Sequence, residues 1–322
     1  MLTAFFKIDI LPVEGKMLFP IKGHGVFVMH LSELFQKKKC VLSYEIFPPK
    51  KSSDVDSLYR TISRLQRMRP DFISVTCGAG GCSVGNDLTI KIAGHIKKEH
   101  GIESLAHLTC VNSSRRNFEE TVTLLRENHV DNVLALRGDR VDGVNATDFT
   151  YASDLISCLR QKGGFYIAAA CHPEGHPESA NPEEDIRHLK EKVEAGAGHL
   201  MSQLFFDNEL FYRFRDKLHA AGVDVPVEAG IMPVVSKHVI EKIVSLCGAT
   251  LPFKFSRMFD RFKDSPEALF EAGVIYAVEQ ITDLISADVR GIHLYTMNNP
   301  DVAEKITRNI EGLLGKVNEK LS

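Results

Sequence analysis

No stretch of this 322-residue chain is apolar for the roughly 20 residues that a membrane-spanning helix requires. No single charge dominates either. The 39 basic and 42 acidic residues leave a formal charge of −3, with both signs mixed along the chain. That pattern argues against a nucleic-acid stripe and against an acidic disordered tail. Cysteine offers no framework. The seven (Cys40, Cys77, Cys82, Cys110, Cys158, Cys171 and Cys247) are odd in number, and no pair has zinc-ribbon spacing. They read as reduced thiols of a cytoplasmic protein. There is no internal repeat, no low-complexity tract and no linker that would divide the chain. Residues 1–28 hold short apolar patches but no basic segment followed by a long apolar one, so a secretory signal is not expected. They are read as an N-terminal extension to the globular part, 29–322.

What is present is an ordinary globular composition, 44% hydrophobic and 25% charged, long enough to bury a large core without staples. Short β-rich runs alternate with amphipathic stretches. Strands are expected at 41–47, 72–76, 104–108, 132–136, 166–170, 199–204, 227–229 and 291–295. Helices are expected at 54–67, 116–128, 181–195, 207–220, 236–247, 266–285 and 300–317, with a short one near 30–35. Asn181 followed by Pro182 marks one helix start, and Asp207 another. The alternation predicts an α/β fold, a single-domain (β/α)₈ TIM barrel. The rival, a doubly wound sheet, usually carries a glycine fingerprint. The 76–83 segment does not meet it, because Ser83 stands at the third glycine position.

In a barrel the chemistry lies at the carboxyl ends of the strands. The first strand ends in Glu45, on the same face as Ser43 and just before Pro48-Pro49. A carboxyl buried inside a barrel favours its protonated form, which is what a general acid requires. A structural carboxylate paired with a lysine or arginine is the alternative. The fourth strand ends Arg137-Gly138-Asp139, a cation and an anion around a glycine that lets a flat ligand approach the backbone. A loop salt bridge would explain the same residues. The fifth strand leads into His172-Pro173-Glu174-Gly175-His176-Pro177-Glu178, whose spacing fits a structural or cofactor-contacting loop better than a metal site, so no metal is expected. Gln203, polar within an apolar run, can read the edge of a heterocycle or be satisfied by backbone.

Taken together, these strand ends resemble the bacterial-type methylenetetrahydrofolate reductases. The motifs that carry the resemblance are Glu45-Ile46-Phe47-Pro48-Pro49, Ser74-Val75-Thr76, His107-Leu108-Thr109-Cys110, Leu136-Arg137-Gly138-Asp139, Tyr151-Ala152-Ser153-Asp154-Leu155, the His172–Glu178 loop, Gln203-Leu204-Phe205-Phe206-Asp207, Gly230-Ile231-Met232-Pro233 and Tyr295-Thr296-Met297-Asn298. They fall in one order from about Leu42 to Asn298. The resemblance implies an FAD-containing barrel that reduces 5,10-methylenetetrahydrofolate, with NADH or NADPH as co-substrate. It implies Glu45 and Asp139 as catalytic residues, and Gln203, Asp139, Ile243 and Asn299 at the folate. Thr76, His107, Arg137, Gly138, Asp139, Tyr151, Ala152, His172, His176, Asp185, His188 and Lys192 fall at FAD contacts. A cytoplasmic homo-oligomer is implied as well. The chain departs from the family at His172, His188, Glu191, Ile243 and Asn299, each standing where other members carry a different side chain. Two competing readings are a flavin- or folate-binding subunit that takes electrons from a partner protein, and another pterin-binding or flavin-dependent barrel.

Overall fold

The computed structural model describes residues 29–49, 54–77, 83–111, 113–138, 148–238, 240 and 249–319. Eight strands close into a parallel barrel in chain order: β1 (Val41–Ile46), β2 (Phe72–Val75), β3 (Glu103–Thr109), β4 (Asn132–Leu136), β5 (Tyr166–Cys171), β6 (His199–Ser202), β7 (Val227–Ile231) and β8 (Gly291–Tyr295), with β8 returning to β1. The described helices are α1 (Leu31–Lys37), α2 (Val55–Leu65), α3 (Ser83–His100), α4 (Arg115–Glu127), α5 (Ala152–Lys162), α6 (Pro182–Ala195), α7 (Asn208–Ala220), α8 (Phe253–Phe262), α9 (Pro266–Ser286) and α10 (Pro300–Glu319). The expected barrel is therefore present. Among the described residues no helix is long and apolar enough to cross a membrane.

The two-residue period of β1 explains its role. Tyr44 turns outward, fully buried, and its hydroxyl meets Thr307 of α10. Ser43 and Glu45 take the other face, toward the barrel axis. Helix starts follow the expected capping chemistry. Asn181 accepts from the Glu184 amide above Pro182, and Asp207 accepts from the Glu209 amide. Helix α4 begins on Ser114, which accepts from the Asn117 amide, and it buries Phe118, Val122 and Leu125.

Three helices, α3, α5 and α8, were not expected from periodicity. In the α3 sequence the apolar Val84, Leu88, Ile90, Ile92, Ala93 and Ile96 are spread around more than half of the helix circumference, so they do not keep to one stripe. Its β-branched residues and Gly94 also weaken the local helical preference. Packing between the sheet and α4 overrides that preference. The expected helix at 236–247 lies mostly outside the described residues, as do residues 1–28. Strand β6 stops at Ser202, short of the expected 204, while β7 runs on to Ile231.

The amino-terminal end of the barrel is plugged. Leu31, Leu34 and Phe35 of α1 pack on Val41, Phe72, Leu105, Leu134, Ala168 and Met201. The Leu31 amide donates to the Asn132 carboxamide oxygen at 3.0 Å, fixing the plug to β4. The open mouth is thus at the carboxyl ends of the strands.

Candidate active site

Glu45 sits one residue before the end of β1, with its side chain 18% exposed. His293 of β8 and His107 of β3 bring their Nε2 atoms to 3.4 and 3.7 Å from its Oε2. Its backbone carbonyl accepts from the Thr296 hydroxyl at 2.6 Å, which ties the strand end to the turn after β8. Burial pushes His107 down to about 4, against the pull of the Glu45 carboxylate. The imidazole is therefore neutral near pH 7. Its buried Nε2 has no hydrogen-bond partner, so the approach to Glu45 is a close polar contact and not an ion pair.

The adjoining quarter of the mouth, at the ends of β4 and β5, is rich in cations and imidazoles. Arg137 makes a two-pronged contact to Glu178, both distances 2.6 Å. Gly138 follows with φ +85, and a Cβ there would lie 2.9 Å from the Thr109 Cβ, so the position needs glycine. The Lys192 ammonium donates to the Ala170 carbonyl at 3.0 Å, and burial lowers its pKa. His172 is pushed down to about 3, first by burial and then by His176 and Lys192. His172 and His176 meet edge to face at 4.7 Å, and the His176 amide donates to buried Asp185 at 3.3 Å. Tyr151 is exposed at the start of α5, with its amide on Asp154, and Ala152 is buried beneath it.

Other expected residues stand as follows. Thr76 extends β2, its amide donating to the Ile46 carbonyl at 3.0 Å. The Gln203 carboxamide oxygen accepts from the Leu204 amide at 2.9 Å. His188, on α6, faces the Arg187 guanidinium at 3.0 Å. Asn299 uses its carboxamide oxygen at the start of α10, accepting from the Asp301 and Val302 amides. Asp139 and Ile243 lie outside the described residues.

The sequence model for methylenetetrahydrofolate reductase matches residues 30–311. The chain belongs to that family. A 5,10-methylenetetrahydrofolate reductase of Pectobacterium carotovorum subsp. carotovorum is 35% identical, covering 84% of this chain and 89% of its own. Methylenetetrahydrofolate reductase 1 of Schizosaccharomyces pombe is 36% identical over 89% of this chain, which spans 48% of that longer protein. Among solved structures, a Clostridium thermocellum protein described as binding two copies of 5-methyl-5,6,7,8-tetrahydrofolic acid shares the fold, with a TM-score of 0.63, 14% identity, and 88% and 98% of the two chains covered.

Set in this reductase family, three buried residues of the barrel interior escaped the sequence reading, His293 beside Glu45 and Glu228 and His199 beyond Ser43. His293 and Glu228 lie mid-strand in apolar runs, and His199 opens β6. A charged residue or an imidazole inside an otherwise apolar strand was the signal available. The acid response of the reductase barrel follows from two imidazoles, one buried and one half-buried. His107 and His172 are both held below the ordinary 6.5, so their contribution to stability is complete above pH 6.5 and is lost as pH falls toward 4 and 3. The melting temperature is expected to drop as pH is lowered below 6.5, and His172→Asn to flatten part of that drop. An unchanged pH dependence in the variant contradicts the assignment.

Proposed function

We propose that this chain reduces 5,10-methylenetetrahydrofolate to 5-methyltetrahydrofolate, using FAD bound across the barrel mouth and a nicotinamide nucleotide as electron donor. The observation that carries this reading is the placement of Glu45. In a chain of the reductase family, an acid stands at the mouth beside a neutral imidazole whose buried Nε2 lacks a partner.

The residues present fit FAD. Arg137 and Lys192 supply positive charge for its diphosphate, and Gly138, with φ +85 and packed against Thr109 and Val111, turns the backbone between them at the mouth. Thr76, His107, Tyr151, Ala152, His172, His176, Asp185 and His188 complete the proposed contact set. Bound there, FAD supplies the hydride that the methylene carbon accepts. Glu45 delivers a proton to the ring nitrogen whose bond to that carbon breaks, and the electrons of the bond stay on the nitrogen. The carbon is left cationic. By resemblance, Asp139 supplies the negative charge that steadies it. Gln203 reads the pterin edge, with Asn299 and Ile243 further out on the folate. A cytoplasmic setting and a homo-oligomeric state complete the proposal.

The test uses the purified chain alone. It is expected to retain or take up one FAD, and to oxidise NADH or NADPH beyond a single turnover of the flavin only when methylenetetrahydrofolate is supplied as acceptor. Lys192→Met is expected to weaken FAD binding by roughly tenfold or more, the scale of one charge-assisted contact. A chain that binds FAD, accepts dithionite electrons and reduces folate, yet ignores both nucleotides, takes its electrons from a partner protein. A chain that binds no FAD, or whose reduced FAD leaves the folate untouched, overturns the reading.

A further inference from the structure

Below Glu45 the barrel axis holds a chain of polar groups that the proposed reaction does not use. His293 Nδ1 lies 2.7 Å from the Ser43 hydroxyl, and that hydroxyl lies 3.0 Å from Oε1 of Glu228. Oε2 of Glu228 faces His199 Nε2 at 3.3 Å, and His199 Nδ1 reaches the Tyr166 hydroxyl at 3.2 Å. Ser43, Glu228, His199 and His293 are all fully buried. Glu228 occupies this depth because Gly291, its register partner on β8, has no side chain: a Cβ there would lie 2.7 Å from the Glu228 Cγ.

A carboxylate buried this completely is costly unless it is paired or protonated. His199 is at ion-pair distance but is not aligned for a hydrogen bond, and Glu228 Oε2 and His199 Nε2 are both left without one. The well-made contact of Glu228 is to Ser43, which has a single proton to give. Counting protons along the chain then allows two arrangements. In one, Glu45 donates to His293 Nε2, His293 Nδ1 donates to Ser43, and Ser43 donates to an ionised Glu228. In the other every bond is reversed: a protonated Glu228 donates to Ser43, Ser43 to His293 Nδ1, and His293 Nε2 to an ionised Glu45. The two differ in which carboxyl holds the proton and, with it, in the His293 tautomer and the direction of the Ser43 hydroxyl.

We propose that Glu228 is a buried proton store for Glu45, joined to it by Ser43 and His293. This builds on the reading of Glu45 as proton donor. When Glu45 has given its proton away, three hops restore it: Glu228 to Ser43 Oγ, Ser43 to His293 Nδ1, and His293 Nε2 to Glu45 Oε2. Ser43 Oγ gains one proton and loses one, His293 gains one at Nδ1 and loses one from Nε2, no electrons move, and the negative charge ends on Glu228. The groups facing the two carboxyls are His107 and His293 at Glu45, and Ser43, His199, Tyr166 and Cys40 around Glu228.

The experiment needs neither FAD nor folate. Protein labelled with carbon-13 at the glutamate carboxyls is titrated by NMR, and the two signals are assigned by their loss in Glu45→Gln and Glu228→Gln. In the wild type the Glu45 and Glu228 signals are expected to move together through shared transitions, as coupled sites do. Glu228→Gln removes the second carboxyl of the chain, so Glu45 is expected to titrate alone, in a single step with no shared transition. Ser43→Ala keeps both charges but breaks the wire, and the two signals are expected to separate. This second variant decides the matter if Glu228→Gln does not fold. Independent titration in the wild type, a Glu45 curve unchanged in Glu228→Gln, or shared transitions surviving in Ser43→Ala overturns the proposal. Because this readout is independent of reductase activity, it stands or fails separately from the proposed function.

Discussion

Glu45→Gln is expected to slow folate reduction by a factor of about 10²–10⁴, the usual range for loss of a general acid. The amide keeps the size of the carboxyl and can still bond His293, but it has no proton to deliver. Reduction of bound flavin by the nicotinamide donor requires no proton from this position, and its rate is expected to stay within a few-fold of wild type. FAD content is expected to be unchanged, since Arg137 and Lys192, the cations proposed to hold it, are untouched. Stopped-flow measurement of the two half-reactions separates these effects. Near-normal folate reduction in the variant would make Glu45 a structural carboxylate and remove the centre of the proposed mechanism. Equal loss in both halves would assign it to flavin positioning instead.

The largest single loss of stability is expected at Phe205, just beyond β6. Its ring is fully buried and stacks on Phe211 of α7, with centroids 5.0 Å apart. Its carbonyl accepts from the Gln280 carboxamide of α9 at 2.9 Å, so the same residue joins strand, α7 and α9. Phe205→Ala removes most of a ring from a closed core and leaves a cavity. The expected cost is about 3–5 kcal/mol, which lowers the melting temperature by on the order of 10 °C. Denaturant unfolding and calorimetry measure it, and Phe205→Leu is expected to lose less. A loss below about 1 kcal/mol would mean that the helices collapse onto the vacated space.

The barrel itself was legible because its strands are short β-rich runs separated by turn residues and amphipathic helices. Each of the eight expected strands has its counterpart at nearly the expected place. Glu45 was legible for a local reason: alternation put it on one face with Ser43, and the two prolines after Phe47 fixed where the strand ended. The partners of Glu45 were not, because they come from β3 and β8 and only closure of the ring brings them together. Glu228 and His199 were hidden differently. Sequence-based reading treats an interior strand as apolar, and it does not register that Gly291 leaves room for a carboxylate opposite. Helix α3 was hidden because its apolar residues do not form one stripe. Asn299 shows the reverse case: the resemblance sets it at the folate, while its carboxamide oxygen also serves the first amides of α10.

The seam between β1 and β8 has a consequence for the order in which the molecule matures. Glu45 and His293 are separated by 248 positions along the chain, yet their strands are paired in the ring. During synthesis Glu45 emerges early, and its partner arrives only when the final strand is made. A contact of such long sequence separation forms late and slowly. Until then Glu45 lacks its β8 partner and the mouth is incomplete. Closing the β1–β8 seam is thus also the step that assembles the proposed acid centre, and a nascent barrel is expected to stay chemically silent until its first and last strands meet.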